Sequence, residues 1–191
     1  MKDLYLMRHG QTLFNLRRKI QGWCDSPLTE EGIAQARRVG ELLRERGITF
    51  DHAYSSTAER ACDTLELTLE AAGCPLPYER LKGLRERFFG TFEGESEDLN
   101  PPFEEYDALF SRYGGETGEA VRERMVATLR EVMERPGHER VIATSHAGAC
   151  MSFLSDTGDP RELLGGIMPN CGILHFAYQD GEFEFIELIG R

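Results

Sequence analysis

The 191-residue chain has no apolar run approaching the length of a membrane span, and no charged start followed by an apolar stretch. Those absences argue against a spanning helix and a secretory signal peptide, so a soluble, cytoplasmic protein is expected. A basic excess is also missing. Twenty-two Lys and Arg stand against 33 Asp and Glu, a formal charge of −11. Nucleic acid is excluded as a partner on that ground, because a phosphate backbone needs a basic face. A small anionic substrate is not, since a pocket can be locally positive on an acidic protein. The five cysteines, Cys24, Cys62, Cys74, Cys150 and Cys171, are odd in number, widely spaced and without a C-x-x-C pair. This disfavours a disulfide framework and a zinc site, and leaves each as a small packing residue. Cys150, four residues after His146, is weighed as a nucleophile and set below packing. No repeat and no linker interrupts the chain, and its length suits one domain over 1–191.

What is present alternates between strands and helices. Leu4–Met7 is a short apolar run of the buried-strand kind. Thr29–Gly47 reads as a helix, capped by Thr29, acidic at its start and ended by Gly47, with Ile33, Ala36, Val39, Leu42 and Leu43 facing inward. A strand at Phe50–Tyr54, then Ser55-Ser56 and a helix to about Ala72, and a strand at Tyr78–Leu81 follow. Glu119–Glu134 carries Val121, Met125, Leu129 and Val132 on one helical face. Val141–Thr144 is a β-branched strand, Ala147–Leu154 a helix, and Gly172–Ala177 with Glu182–Ile189 a hairpin around Asp180-Gly181. The pattern predicts an α/β sandwich with a mostly parallel sheet. Glu95–Gly118, with Pro101-Pro102, Gly114-Gly115 and many acids, lacks apolar periodicity. It reads as an insertion with a short helix, of the kind that forms a lid.

The residues capable of chemistry fall after the strands, where ligands bind in open parallel sheets. Arg8-His9-Gly10-Gln11-Thr12 follows the first strand, with Asn15 close by, and Gly10 is expected to let the backbone turn sharply. Arg60 lies in the first turn of a helix, Glu86 in the stretch Leu84–Gly90, and His146 after the Val141–Thr144 strand. Singly, Arg60 is a salt-bridged helix residue and Glu86 an exposed acid. Together, an imidazole nucleophile, cationic partners and an acid suit phosphoryl transfer.

On these residues the chain resembles the histidine phosphatase superfamily, the phosphoglycerate mutase-like proteins. The matching pieces are Arg8–Thr12 with Asn15, Gln21–Asp25, Pro27–Gly32, and Ser55-Ser56 with Arg60-Ala61 and Thr64. Leu84–Gly90, Glu93-Gly94 and Ser145-His146 complete the set. Ala147 stands where the family usually has Gly. The resemblance implies a three-layer α/β/α sandwich with a mostly parallel central sheet. It implies His9 as the nucleophile that becomes phosphorylated, its other ring nitrogen held by backbone. Arg8, Arg60 and His146 would bind phosphoryl oxygens as guanidinium and imidazolium charges, with no metal and no cofactor. Glu86 would protonate the leaving oxygen and then activate water. Asn15, Gln21, Gly22 and Ala147 are placed at the substrate.

Around this site some readings stay open. Arg17-Arg18-Lys19 either attracts an anionic substrate or is a solvated loop, and Trp23 either lines the pocket or packs. Glu93 is expected to hold the loop that presents Glu86. His52, His138 and His175 are scattered and expected to be structural or exposed. The function expected is a metal-independent phosphomonoesterase for small phosphorylated metabolites. A phosphoglycerate mutase and a non-catalytic phospho-ligand binder are the alternatives. Against the mutase stands the acidity of Glu95–Gly118, where Glu95, Glu97, Asp98, Glu104, Glu105, Asp107 and Glu116 face one base, Arg112. A bell-shaped pH profile on the acidic side of neutral is expected. The sequence names neither the natural substrate nor the oligomeric state.

Overall fold

The computed structural model describes residues 1–190. Six strands form one sheet: β1 (Lys2–Arg8), β2 (His52–Ser56), β3 (Tyr78–Leu81), β4 (Arg140–Ser145), β5 (Ile173–Gln179) and β6 (Glu182–Ile189). Their order is β3-β2-β4-β1-β5-β6. The pairs β3–β2, β2–β4 and β4–β1 are parallel, while β5 runs antiparallel to both of its neighbours. The mostly parallel sheet expected from the alternation is present.

Side-chain alternation along β1 divides the core into two layers. Leu4 and Leu6 face one cluster, with Val121, Met125, Leu129, Val132, Phe153 and Phe176. Tyr5 and Met7 face the other, with Ala36, Val39, Leu43, Leu65 and Leu69. Helices α2 (Glu30–Glu45) and α3 (Glu59–Ala72) therefore cover one face, and α5 (Gly118–Glu134) and α6 (Ala147–Leu154) the other. This is a three-layer sandwich, each helix burying the stripe its apolar spacing marks. Thr29 caps α2 by accepting from Gly32 N, and Thr117 caps α5 by accepting from Ala120 N. The remaining helices are short: α1 (Leu13–Leu16), α4 (Tyr106–Arg112) and α7 (Pro160–Leu164).

Two sequence expectations shift. The second strand runs two residues later than Phe50–Tyr54, ending at Ser56, because Ser55 and Ser56 are fully buried in the sheet. Gly10 does not adopt a positive φ. A Cβ there would lie 2.6 Å from Gly32 O, so glycine is needed for the close approach of the β1 end to α2. Among the described residues, no helix is long and apolar enough to cross a membrane.

The parallel register places the site. Arg8 pairs with Ser145 and Ser55 with Thr144, so the residues after β1, β4 and β2 emerge side by side. Truncating Leu6, fully buried between strands and helices, to alanine should cost about 2–5 kcal/mol in urea denaturation. Ile186→Ser, on the half-exposed outer strand, should cost no more than about 0.5 kcal/mol.

Candidate active site

His9 sits at the end of β1, 5% exposed. Its Nδ1 lies 2.8 Å from Gly10 O. A carbonyl can only accept, so Nδ1 carries the proton and Nε2 keeps its lone pair. Burial, then the nearby Arg60 and Arg8 charges, hold the imidazole pKa well below 6.5. A neutral ring with an unprotonated Nε2 is the nucleophilic form. The backbone is fixed as tightly: His9 N donates to Ser145 O, His9 O accepts from Asn170 Nδ2, and Gly10 N donates to Thr64 Oγ1. Cys171, adjacent to Asn170, donates its N–H to Arg8 O from a left-handed conformation with φ 57°.

Arg8 donates Nη1 to Met168 O, while its buried Nε has no protein partner. Burial lowers its pKa from 12.5, with Glu86 the first opposing charge. Arg60 is different. It is fully buried, and all five of its N–H donors meet protein acceptors. Nη1 donates to Cys24 O and Asp25 Oδ1, and Nη2 to Gly22 O and His146 Nδ1. With the Gln21 amide oriented so that its oxygen faces Arg60, that oxygen accepts from Nε at 2.8 Å. Any direct bond from Arg60 to a phosphoryl oxygen must exchange one of these contacts.

His146, also fully buried, accepts from Arg60 through Nδ1 and donates Nε2–H to Ser56 Oγ at 2.8 Å. Burial and the Arg60 charge hold its pKa well below 6.5. The imidazolium expected at this position is corrected to a neutral ring, because a protonated Nδ1 would have no lone pair for Arg60. The His9 and His146 rings meet edge-on, 5.3 Å between centroids.

Glu86 is held at the start of α6. Its carboxylate accepts from Arg87 N, Ala149 N and Gly148 N, each at 2.8 Å. Those bonds use three of its about four lone-pair directions. A Cβ on Gly148 would lie 2.7 Å from Glu86 Oε1, so this glycine makes room for the carboxylate. Ala147, one residue earlier, has no positive φ and tolerates its methyl group. Glu93 holds the surrounding loops as expected, accepting from Gly22 N, Trp23 N, Cys24 N and Phe89 N.

A cleft of about 80 Å³ opens beside these groups, lined by Gly22, Trp23, Thr57, Arg85, Glu86 and His146 among others. Trp23 lines it, and its Nε1 also donates to Glu86 O. Arg85 stacks over Trp23 at 4.6 Å, bonds Thr57 through Nε, and has no carboxylate partner among the described residues. Asn15 closes a capping box with Thr12, its Oδ1 accepting from Thr12 N. Gln21 lies behind Arg60 and is absent from the cleft wall. Cys150 is fully buried, and burial raises its thiol pKa far above neutrality, so it packs as a thiol. Cys24 and Cys171 are pushed up to about 12, again chiefly by burial.

The three outlying histidines are not all scattered. His52 stacks on His138 at 3.6 Å, while His175 bonds Asp3. The residues that sequence reasoning missed at the site are Gly148, Asn170, Arg124 and the pairing role of Glu116, while Ser56 enters only as part of the resemblance. Each acts through a partner far away in sequence, so no local pattern marks it.

The chain and its fold have known relatives. The model of the histidine phosphatase superfamily, branch 1, matches residues 4–189, and the chain belongs to that family. A probable phosphoglycerate mutase GpmB of Salmonella paratyphi B is 34% identical, over 96% of this chain and 88% of the relative. A phosphoglycerate mutase from Bacillus anthracis superposes with a TM-score of 0.86 at 28% identity, covering 99% of this chain and 92% of that one. A phosphoserine phosphatase from Entamoeba histolytica, in complex with 3-phosphoglyceric acid, gives 0.80 at 27%, covering 98% and 96%.

The two buried rings make stability depend on pH. Their folded pKa values lie below the unfolded value of about 6.5, so the unfolded chain binds more protons under that pH. Stability is complete above about pH 6.5 and falls on acidification, by up to about 1.4 kcal/mol per pH unit per ring. Urea denaturation at pH 7, 6 and 5 should show this fall, and His146→Gln should reduce the slope. An unchanged slope would mean that His146 is not held neutral.

Proposed function

We propose that the protein is a phosphomonoesterase of small phosphorylated metabolites in the cytoplasm, working through a phosphohistidine on His9. The observation that carries this is the His9 ring itself, neutral and with Nδ1–H turned onto Gly10 O. His9 Nε2 attacks phosphorus as the bond to the leaving oxygen breaks, and Glu86 gives that oxygen its proton. Water then attacks phospho-His9, passing a proton to Glu86, and the P–N bond breaks to release inorganic phosphate. Arg8 offers its free Nε, Asn15 its amide N–H groups, and Arg60 its charge to the phosphoryl group. Catalysis of phosphoryl transfer is mainly such positioning and charge stabilisation, so the scheme has no metal step and EDTA should leave the rate unchanged. The 95–118 insertion is read as a lid, and Leu99 and Phe103 on it are exposed.

Brief incubation with labelled substrate should trap a phosphoenzyme that is acid-labile and base-stable, and His9→Ala should abolish it with nearly all turnover. Full activity in that variant, or label on Cys150, would remove the scheme. A non-catalytic binder would hydrolyse no aryl phosphate in the same assay.

A mutase is the second reading, favoured by what the GpmB relative and the Bacillus anthracis protein are called. The argument against it from acidic repulsion loses most of its force. Arg18 pairs with Glu97 and Asp98, Arg87 with Asp107, Arg124 with Glu116 and Arg161 with Glu104. What still favours hydrolysis is that the segment brings only one base of its own, exposed Arg112, toward a substrate carboxylate. Phosphate release from several monoesters should exceed interconversion of 3- and 2-phosphoglycerate, both followed in one preparation. Mutase turnover ten times faster than phosphate release would reverse the assignment.

A further inference from the structure

Arg124, on the second turn of α5, is spent as completely as Arg60. Its Nη1 donates to Gly83 O and Arg85 O, and its Nη2 to Glu86 O and Glu116 Oε2. Nε donates to Glu116 Oε1 at 2.8 Å, completing a two-pronged pair with that carboxylate. One guanidinium thus gathers three carbonyls of the short stretch that carries Glu86. Glu116 fastens the far side, with Phe88 N donating to its Oε2 and Glu116 N donating to Phe88 O. The Arg124 bond lowers the Glu116 pKa against the opposing effect of burial. Neither residue lines the cleft.

We propose that Arg124 and Glu116 are the positioning pair of the reaction, holding the Glu86 backbone so that its carboxyl group stays aimed at the leaving oxygen. The proposal rests on the reading of Glu86 as the proton donor. The pair also joins the end of the 95–118 insertion to that donor, beside the Phe88–Glu116 bonds and the Arg87–Asp107 ion pair. A backbone held at the Gly83, Arg85 and Glu86 carbonyls leaves Glu86 chiefly its side-chain torsions, and those are fixed by N–H groups of Arg87 and the α6 start. Lysine cannot replace the arginine fully, since it offers three donors on a flexible stem and no planar fork.

The test uses two readouts on the intact protein. Trp23 is the only tryptophan, and its Nε1 donates to Glu86 O, so its fluorescence reports the loop without any turnover. Arg124→Met should red-shift that emission and raise its quenching by acrylamide. On substrates, Arg124→Met should slow alkyl phosphates by about 100-fold, in the range of a lost general acid, while aryl phosphates slow by less than about fivefold. The same change in a Glu86→Gln background should cost little more, because the group being aimed is already gone. Glu116→Gln, which keeps the shape of the side chain, should show a weaker form of both effects and serves if Arg124→Met fails to fold. Unchanged Trp23 emission in the folded variants, or equal losses on alkyl and aryl phosphates, would overturn the proposal. If Glu86→Gln alone shows no alkyl-selective loss, the reading of Glu86 fails, and the positioning role fails with it.

Discussion

The site depends on one buried cation. Arg60 has no exposure to solvent, and its charge is balanced by Asp25 and by oxygens drawn from residues 21, 22 and 24. Asp25 is exposed at the surface, and removing it would leave the buried guanidinium without its carboxylate. That constraint pulls the 21–25 loop down onto the start of α3, where Asp25 also accepts from Glu59 N. The same charge helps to keep both imidazoles neutral and orients His146 by donating to its Nδ1. Loop position and the orientation of His146 therefore follow from a single guanidinium, whose charge adds to burial in keeping both rings neutral.

The arginines around the site divide by what they are bonded to. Arg60, Arg87 and Arg124 are paired with acids and hold the loops behind the cleft. Arg8 and Arg85 have no carboxylate partner among the described residues, although the chain carries 33 acids. Cationic groups left uncommitted at the strand ends are what an anionic ligand requires, and the overall charge of −11 does not oppose it locally. Through long-range pairing, the fold thus separates arginines committed to acids from those that are not.

Most of the architecture was legible because its signals are local. Thr29, Glu30 and Glu31 mark the start of α2, and the four inward residues of α5 repeat at helical spacing. The strand ends were legible where chemistry-bearing residues adjoin apolar runs, as Arg8 and His9 adjoin Leu4–Met7. Ser55 and Ser56 misplaced β2 because hydropathy assigns two serines to a loop. In the fold they are buried, and Ser56 is stabilised by His146 across the sheet. The acids of the insertion misled for a related reason. Their partners Arg18, Arg87, Arg124 and Arg161 lie outside the segment, so its composition overstated its free charge. Asn170, 161 residues from the His9 carbonyl it supports, carries no local mark at all.

The central claim is that His9 is held neutral, with its proton on Nδ1 and its lone pair on Nε2. Nitrogen-15 NMR of histidine-labelled protein measures that state directly through the ring shifts. The His9 signals should keep the pattern of a protonated Nδ1 and an unprotonated Nε2 from pH 8 to pH 5.5, without a titration step. A ring that titrates near 6.5, or one that carries its proton on Nε2, would contradict the account.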